Sequence, residues 1–322
     1  AILGAHPDVE LVGMCDPDSL LQSAFKKLTK IACYTDYKKM INETKPDAVY
    51  VVTPTKLHEE MVVYALEHGC HVFCEKPFSL TEKDGQIMVE AAKKYGKVNQ
   101  VGYHNRFIGT FVEAKRLMDA GVIGKPFHFM GEAYGPVVLK RKGGTWRSDK
   151  KAGGGCVMDY AAHVLNLINY ICSSPIVKVA GTSMPSIFSA EVDDAVYSTL
   201  TLENGLKGQL SVCWSDDTVR KMTTSLKIEG DGGKIFVDAT TLKVYVKEDN
   251  PKEGLVKGWN EKHIPELAPI VFFNLRGEEY SEETDKFIKC IKENKMSDRN
   301  SFEEAYKTDQ IINALMEDAK NG

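Results

Sequence analysis

The sequence predicts an α/β protein: a doubly wound parallel sheet followed by an α+β domain with a large, mostly antiparallel, open-faced sheet. Three observations predict it. Over residues 9–102 short apolar runs alternate with helical segments, the rhythm of βαβ units. Ala48-Val49-Tyr50-Val51-Val52 and Cys70-His71-Val72-Phe73-Cys74 are continuous runs, which suit strands buried on both faces. From Ile176 onward the pattern turns to strands and hairpins, with Glu203-Asn204-Gly205 and Gly230-Asp231-Gly232-Gly233 as turns. The first domain is expected over 1–105 and the second over 106–322, with the C-terminal helices packing back.

A chain of 322 residues suits two domains. Its 41 Lys and Arg against 45 Asp and Glu leave a net charge of −4, so no global pull toward nucleic acid or a membrane surface is expected. No run reads as a bilayer span or a signal peptide, and a cytoplasmic location is expected. The eight cysteines include no C-x-x-C pair and sit mostly in apolar runs, as reduced core residues do. Cys70 and Cys74 flank His71, but one strand face would hold them with no second ligand pair nearby, so no metal site is expected.

In chain order, Ala1-Ile2-Leu3 reads as the last turn of a helix, broken at Gly4 and His6-Pro7. A strand over 9–15 ends at Asp16, and Pro17-Asp18-Ser19 starts a helix to about Lys30. A short strand over 31–34 follows, and Asp36 caps a helix through Glu43. Lys45-Pro46-Asp47 breaks the chain before the 48–52 strand, which stops at Thr53-Pro54. A helix over 57–68, the 70–74 strand, a helix from Thr81 to Tyr95 with Gly96 as its C-cap, and a strand over 98–102 complete the alternation. Beyond Arg106 come a helix over 110–120, a strand over 126–134, a basic loop, a glycine break and a second helix. Strands are then expected over 177–182, 195–202, 206–214, 224–229, 234–238 and 242–247. Two helices close the chain, the last opened by a Ser301–Glu304 capping box and striped by Ala305, Ile312, Leu315 and Met316.

Four places in this frame carry chemistry. Pro77 lacks an N–H and restricts the residue before it, so Lys76 is held extended where the strand stops. A lysine there points into the crevice in which open α/β sheets bind ligands, although an ion pair with Glu75 or a neighbour accounts for the same residues. Asp16 ends what reads as the second strand of a nucleotide domain, where an acid bonds ribose hydroxyls; Pro17, Asp18 and Ser19 offer no cation to a 2′-phosphate, so NAD is favoured over NADP. Simple helix capping is the alternative, as it is for Thr53-Pro54-Thr55 and His58, where backbone N–H groups favour a polar ligand. Gly153-Gly154-Gly155, which let backbone approach a ligand closely, precede Asp159 and His163, four apart on one helix face: a carboxylate to orient an imidazole base. Last, the loop with Lys140, Arg141, Lys142, Arg147, Lys150 and Lys151 surrounds Trp146; Trp146 and Arg147 are read as the edge of a sugar pocket.

Taken together these pieces resemble the glucose–fructose oxidoreductase/inositol dehydrogenase (Gfo/Idh/MocA) family over essentially the whole chain. The matching segments are Cys15-Asp16-Pro17-Asp18, Val52-Thr53-Pro54-Thr55 with His58, Glu75-Lys76-Pro77, the run from Val101 to Phe107, Gly153-Gly154-Gly155 through Asp159 and His163, and Val192-Asp193-Asp194 before Asn204-Gly205. The resemblance implies a Rossmann domain, a sheet domain that oligomerises through its open face, and a dehydrogenase acting on a sugar, polyol or glycoside carbinol. It implies Lys76 and His163 as catalytic pair, with Asp159 as substrate or orienting residue. It also implies Asp16, Thr53, Pro54, His58, Glu75, Lys76 and Gln100 near NAD, and Tyr103, Arg106, Trp146 and Arg147 with Asp159 and His163 near substrate. Many relatives read Asp-x-Gly-x-His-x-x-Asp where this chain has Ala161 for the glycine and Asn166 for the last acid, a change expected to alter substrate polarity. The chain has no G-x-G-x-x-G. A central strand, glycine loop and helix of roughly 20–30 residues are expected to precede Ala1. The rival readings are sugar chemistry without net redox on a retained NAD, and a cofactor-free sugar-binding or regulatory module.

Overall fold

A computed structural model describes residues 2–141, 145–267 and 278–321. Five parallel strands alternate with helices in the first third: β1 (Met14–Cys15), α1 (Ser19–Thr29), β2 (Cys33–Tyr34), α2 (Tyr37–Thr44), β3 (Ala48–Val51), α3 (His58–Glu67), β4 (His71–Cys74), α4 (Glu82–Tyr95) and β5 (Asn99–Val101). The helix starts follow local chemistry. Asp18 accepts from the N–H groups of Leu20 and Leu21, Asp36 from Lys38 and Lys39, and Thr81 from Asp84. Gly96, at φ 58°, ends α4 in the left-handed region that glycine enters without strain.

These strands form two ladders rather than one. β1 pairs with β2, and β3-β4-β5 form a separate parallel sheet. Among the described residues no ladder joins β1 to β3, so each is paired on one side only. The strand expected over 9–15 shrinks to Met14–Cys15, because β2 offers only Cys33 and Tyr34 as partners.

The second region is built on one large sheet. After α5 (Gly109–Asp119) come β6 (Pro126–Tyr134), a π-helical turn at Val157–Ala161, α6 (Ala162–Ile171), and β7 (Ile176–Ser183), β8 (Ala195–Leu202), β9 (Lys207–Cys213), β10 (Thr223–Gly230), β11 (Gly233–Asp238), β12 (Thr241–Val246) and β13 (Gly258–His263). Their order is β13-β12-β11-β10-β6-β9-β8-β7; β6 and β9 run parallel and every other pair is antiparallel. Alternate residues such as Phe129, Leu226, Ile228, Ile235, Val237 and Val244 are buried, while Met130, Lys227, Phe236 and Tyr245 on the other face are only partly covered. The open face is therefore real, and α5 and α6 cover the other. Polar β13, which carries Trp259 at 59% exposure, was not read from the sequence.

Two terminal helices fasten the regions together. α7 (Glu278–Lys292) lays Phe287 edge-on to Tyr50 and Phe73, whose rings stack at 4.6 Å. A fully buried Phe of this kind contributes about 1.5–3 kcal/mol. α8 (Phe302–Asn321) packs against α4, α6 and β7, and its start is the expected capping box: Glu304 N–H donates to Ser301 Oγ and Ser301 N–H to Glu304 Oε2.

Candidate active site

Lys76 emerges where the β3-β4-β5 ladder stops. One further backbone bond on each side, Glu75 N–H to Val51 O and Gly102 N–H to Cys74 O, fixes the chain up to that point. The Lys76–Pro77 peptide is cis. Beyond it the loop is clasped twice. Ser79 donates its N–H and its hydroxyl to Asp309 Oδ2 on α8, at 2.9 and 2.7 Å. The His58 ring bridges Phe78 O at 3.2 Å and Thr53 O at 2.9 Å.

From this mount the Lys76 ammonium reaches the second region, donating to Asp159 Oδ1 at 2.5 Å and to the Asp159 carbonyl at 3.2 Å. Asp159 Oδ2 accepts from Arg147 Nε at 3.0 Å. Burial pushes the Asp159 carboxyl up, but Lys76 and Arg147 more than offset it and hold it below its ordinary value. Arg147 lies over the Trp146 ring, 4.6 Å from its centroid, and both are about 40% exposed, so they form a rim.

Asp159 does not orient His163, contrary to the four-residue spacing. The turn at Val157–Ala161 is π-helical, with the wider pitch that displaces i and i+4 from a common line, and the two cations occupy both Asp159 oxygens. Asp193 anchors that turn: its Oδ2 accepts from Val157 N–H at 2.7 Å and its carbonyl from Cys156 N–H. His163 instead sits among rings, with Tyr103 at 6.0 Å and His104 at 5.0 Å between centroids. It is 3% exposed, and its Nδ1 is buried without a hydrogen-bond partner. Burial, the Lys76 charge and His104 keep its pKa well below the ordinary imidazole value, so the ring is neutral at neutral pH. Burial and Lys76 push His104 down to about 4, and its ring stacks on Tyr280 at 4.8 Å.

Several residues expected at the site do other work. Arg106 is 2% exposed: Nε and Nη2 donate to Asn166 Oδ1 and O, Nη1 donates to Glu304 Oε1, and Tyr170 covers the guanidinium. It is a clamp, not a reader of substrate, and Asn166 is spent on it rather than on substrate polarity. Gln100 is fully buried, donating to Glu283 O and accepting from Ser297. His58 is buried within its clasp, and the Tyr103 hydroxyl is buried without a partner. The three glycines approach protein: a Cβ would meet Leu80 from Gly153, the Arg147 carbonyl from Gly154 and Asp193 from Gly155. Thr53 and Pro54 flank the exposed end of β3, where Val52 is 66% exposed. Asp16 Oδ1 accepts the Asp18 N–H, a local turn. Lys140, Arg141, Lys150 and Lys151 are exposed, and Lys142 lies outside the described residues. His104, Tyr280 and Glu283 were not singled out from the sequence; His104 stood inside the 101–107 motif with no spacing to mark it.

The residues fit one end of a dinucleotide. Glu75 lies behind Lys76, with its Oε2 accepting the Lys76 N–H at 3.3 Å and with Gly102 leaving it room. Burial pushes its carboxyl up against the pull of Lys76, and Glu283, pushed well up by burial and by Glu75, keeps Oε1 unpartnered. Unpaired buried polar atoms beside a lysine at the strand ends suit a polar ring and ribose. The sequence itself has no glycine-rich phosphate loop.

Comparison with known proteins gives this arrangement its relatives. A family model described as "Oxidoreductase family, NAD-binding Rossmann fold" matches residues 1–103, and one described as "GFO/IDH/MocA C-terminal domain" matches 111–236. The chain is 30% identical over 220 residues to D-glucoside 3-dehydrogenase of Escherichia coli (strain K12), covering 62% of this chain and 61% of the relative. It is 32% identical over 146 residues to scyllo-inositol 2-dehydrogenase (NAD(+)) of Bacillus subtilis (strain 168), covering 45% of this chain and 41% of the relative. The match thus spans less than two thirds of either relative. The crystal structure of an oxidoreductase domain protein from Kribbella flavida shares the fold, with TM-score 0.84 at 23% identity over 96% of this chain and 88% of that one. With both of its regions matched in order, the chain belongs to the GFO/IDH/MocA oxidoreductase family.

Proposed function

We propose that this chain is an NAD-dependent oxidoreductase that moves a hydride between a sugar, polyol or glycoside carbinol carbon and nicotinamide. The observation that carries the reading is one cluster: an ammonium at a strand end, a carboxylate bonded to it from the other region, and a buried neutral imidazole near that ammonium. His163 takes the carbinol proton. Lys76 donates to the carbinol oxygen and stabilises the negative charge that develops there. Asp159 acts as positioning residue, holding Lys76 with one oxygen and Arg147 with the other. Bound NAD supplies the hydride acceptor. Glu75, Thr53 and Pro54 line the cofactor side, and Asp16, with no cation at 17–19, favours NAD over NADP. Trp146 and Arg147 edge the substrate pocket. The printed names of the relatives support a sugar or inositol substrate.

The same reading includes a boundary near residue 105 and a homodimer or homotetramer. Met130, Tyr134, Tyr197, Phe236, Tyr245 and Trp259 on the open face give it an apolar surface to bury. All eight cysteines are unpaired, which suits a reducing compartment such as the cytoplasm. Among the described residues no helix is long and apolar enough to cross a membrane.

The test is a fluorescence titration with NADH followed by a panel of free sugars, inositols, glycosides and nucleotide-sugars with NAD. Saturable NADH binding and NADH formation with a panel member are expected. No binding and no reduction across the panel would discard the proposal.

A further inference from the structure

We propose that Asp193 is a positioning residue for the reaction: it sets the turn that carries Asp159 and, through Asp159, the Lys76 ammonium. The inference rests on the oxidoreductase reading above. The Val192-Asp193-Asp194 segment is among those that match the family, and its two acids do different work. Asp194 holds its own surroundings: Oδ2 accepts the N–H groups of Ile187, Phe188 and Ser189, and Oδ1 accepts the Trp214 indole N–H at 2.6 Å. Asp193 reaches instead to the active-site turn. Its carbonyl accepts Cys156 N–H at 3.0 Å and its Oδ2 accepts Val157 N–H at 2.7 Å. Such N–H groups, at the opening of a helical turn, have no partner within it. Gly155, at φ 119°, lies against the same carboxylate, and a Cβ there would stand 2.5 Å from Asp193 Oδ1. Gly155 O in turn accepts the Asp159 N–H at 3.1 Å. Lys76 feels the placement of this turn directly, because it bonds the main-chain carbonyl of Asp159 as well as its carboxylate. A carboxylate alone could follow the ammonium by rotating, but a carbonyl moves only with the turn. Asp193 stands two residues before β8, whose pairing with β9 begins at Ala195 and Cys213. A strand of the large sheet thus sets where the second region presents its oxygens to the ammonium of the first.

The test compares wild type, Asp193→Ala, Asp193→Asn, Asp159→Asn and the double variant of Asp193→Ala with Asp159→Asn. In the protein without cofactor or sugar, trace acetylation followed by peptide mass spectrometry reads how fast Lys76 reacts. Lys76 is expected to label several-fold faster in Asp193→Ala than in wild type, approaching its rate in Asp159→Asn, with the other lysines unchanged. An unchanged Lys76 rate, or a rise shared by all lysines, overturns the proposal. In turnover, Asp193→Ala should lose about 10–10²-fold in kcat, the range for a displaced reacting group, with the sugar KM within about twofold. Adding it to Asp159→Asn should cost little more, because both act through one contact, and additive losses overturn the proposal. Asp193→Asn keeps an oxygen for the Val157 N–H and should recover most of the loss; a loss equal to that of Asp193→Ala overturns the proposal. Should Asp193→Ala not fold, Asp193→Glu, which carries the same oxygen one methylene further out, is expected to raise the Lys76 rate in its place, and no rise overturns the proposal. A wild type that binds no NADH and reduces none would sink the parent reading, while the labelling would still decide whether Asp193 sets Lys76.

Discussion

Lys76 and Asp159, separated by 83 residues, meet at 2.5 Å between the end of β4 and the turn before α6. One contact thus fixes the Lys76 ammonium relative to the region that carries His163. Lys76→Ala and His163→Ala should each lower kcat by at least about 10²-fold while NADH still binds. Steady-state rates beside a fluorescence titration check this, and near-normal turnover in either variant would remove that residue from the chemistry.

The Asp159 pair also has a pH signature. Its carboxyl is held below the ordinary value of 3.8. Its contribution is therefore complete above that value and is lost as pH falls through the lowered one. Asp159→Asn at neutral pH leaves Lys76 and Arg147 facing a neutral amide and should cost about 1.5–3 kcal/mol, the range for hydrogen bonds to charged groups. Urea midpoints should show that gap at about pH 7 and a smaller one below about pH 4.

Asp309 behaves in the opposite sense. Burial pushes its carboxyl up to about 8, against the bonds from Ser79, and Oδ1 has no partner. A folded-state pKa raised above the unfolded value of 3.8 means stability is complete below that value and falls as pH rises through about 8. Wild type should lose stability from about pH 4 up to about pH 8 and level off above it, and Asp309→Asn, which can still accept the Ser79 N–H, should not show that slope. Equal slopes for both proteins would place the titration elsewhere.

Local chemistry made much of the fold legible. Asp18, Asp36, Thr81, Gly96 and the Ser301–Glu304 box act within a few residues of where they stand, and each acts as read. Continuous apolar runs likewise became β3 and β4. The site was legible in its residue types but not in its pairings. Arg106 bonds Asn166 and Glu304, 60 and 198 residues away, and no spacing in the sequence distinguishes that clamp from an exposed arginine at the same motif. The Asp159–His163 spacing misled because a π turn, which local propensity does not announce, sits between them.

Arg106 gives the next test. Its guanidinium is buried against a carboxylate, an amide and a tyrosine ring. Arg106→Lys keeps the charge but loses the planar fork that bonds Asn166 twice, so it should destabilise by about 1–3 kcal/mol, with KM for sugar unchanged in the folded fraction. A variant of wild-type stability with a raised KM would return Arg106 to the substrate pocket.

Gly102 tests whether Glu75 serves the cofactor. An added Cβ would lie 2.8 Å from Glu75 Oε2 and 3.1 Å from its Cδ, while the Gly102 backbone itself is in an ordinary conformation. The carboxylate is the far end of a flexible side chain, so Gly102→Ala displaces it rather than the sheet, at about 1 kcal/mol. That shift breaks the bond from Lys76 N–H and moves the one acidic group directly behind Lys76. If Glu75 faces the nicotinamide ribose, NADH affinity should fall about tenfold, far more than the stability change. Melting and NADH titration on the same preparation separate the two. Unchanged affinity with a lowered midpoint would leave Glu75 as packing for Gly102 and Glu283, and the cofactor side would then rest on Thr53, Pro54 and Asp16.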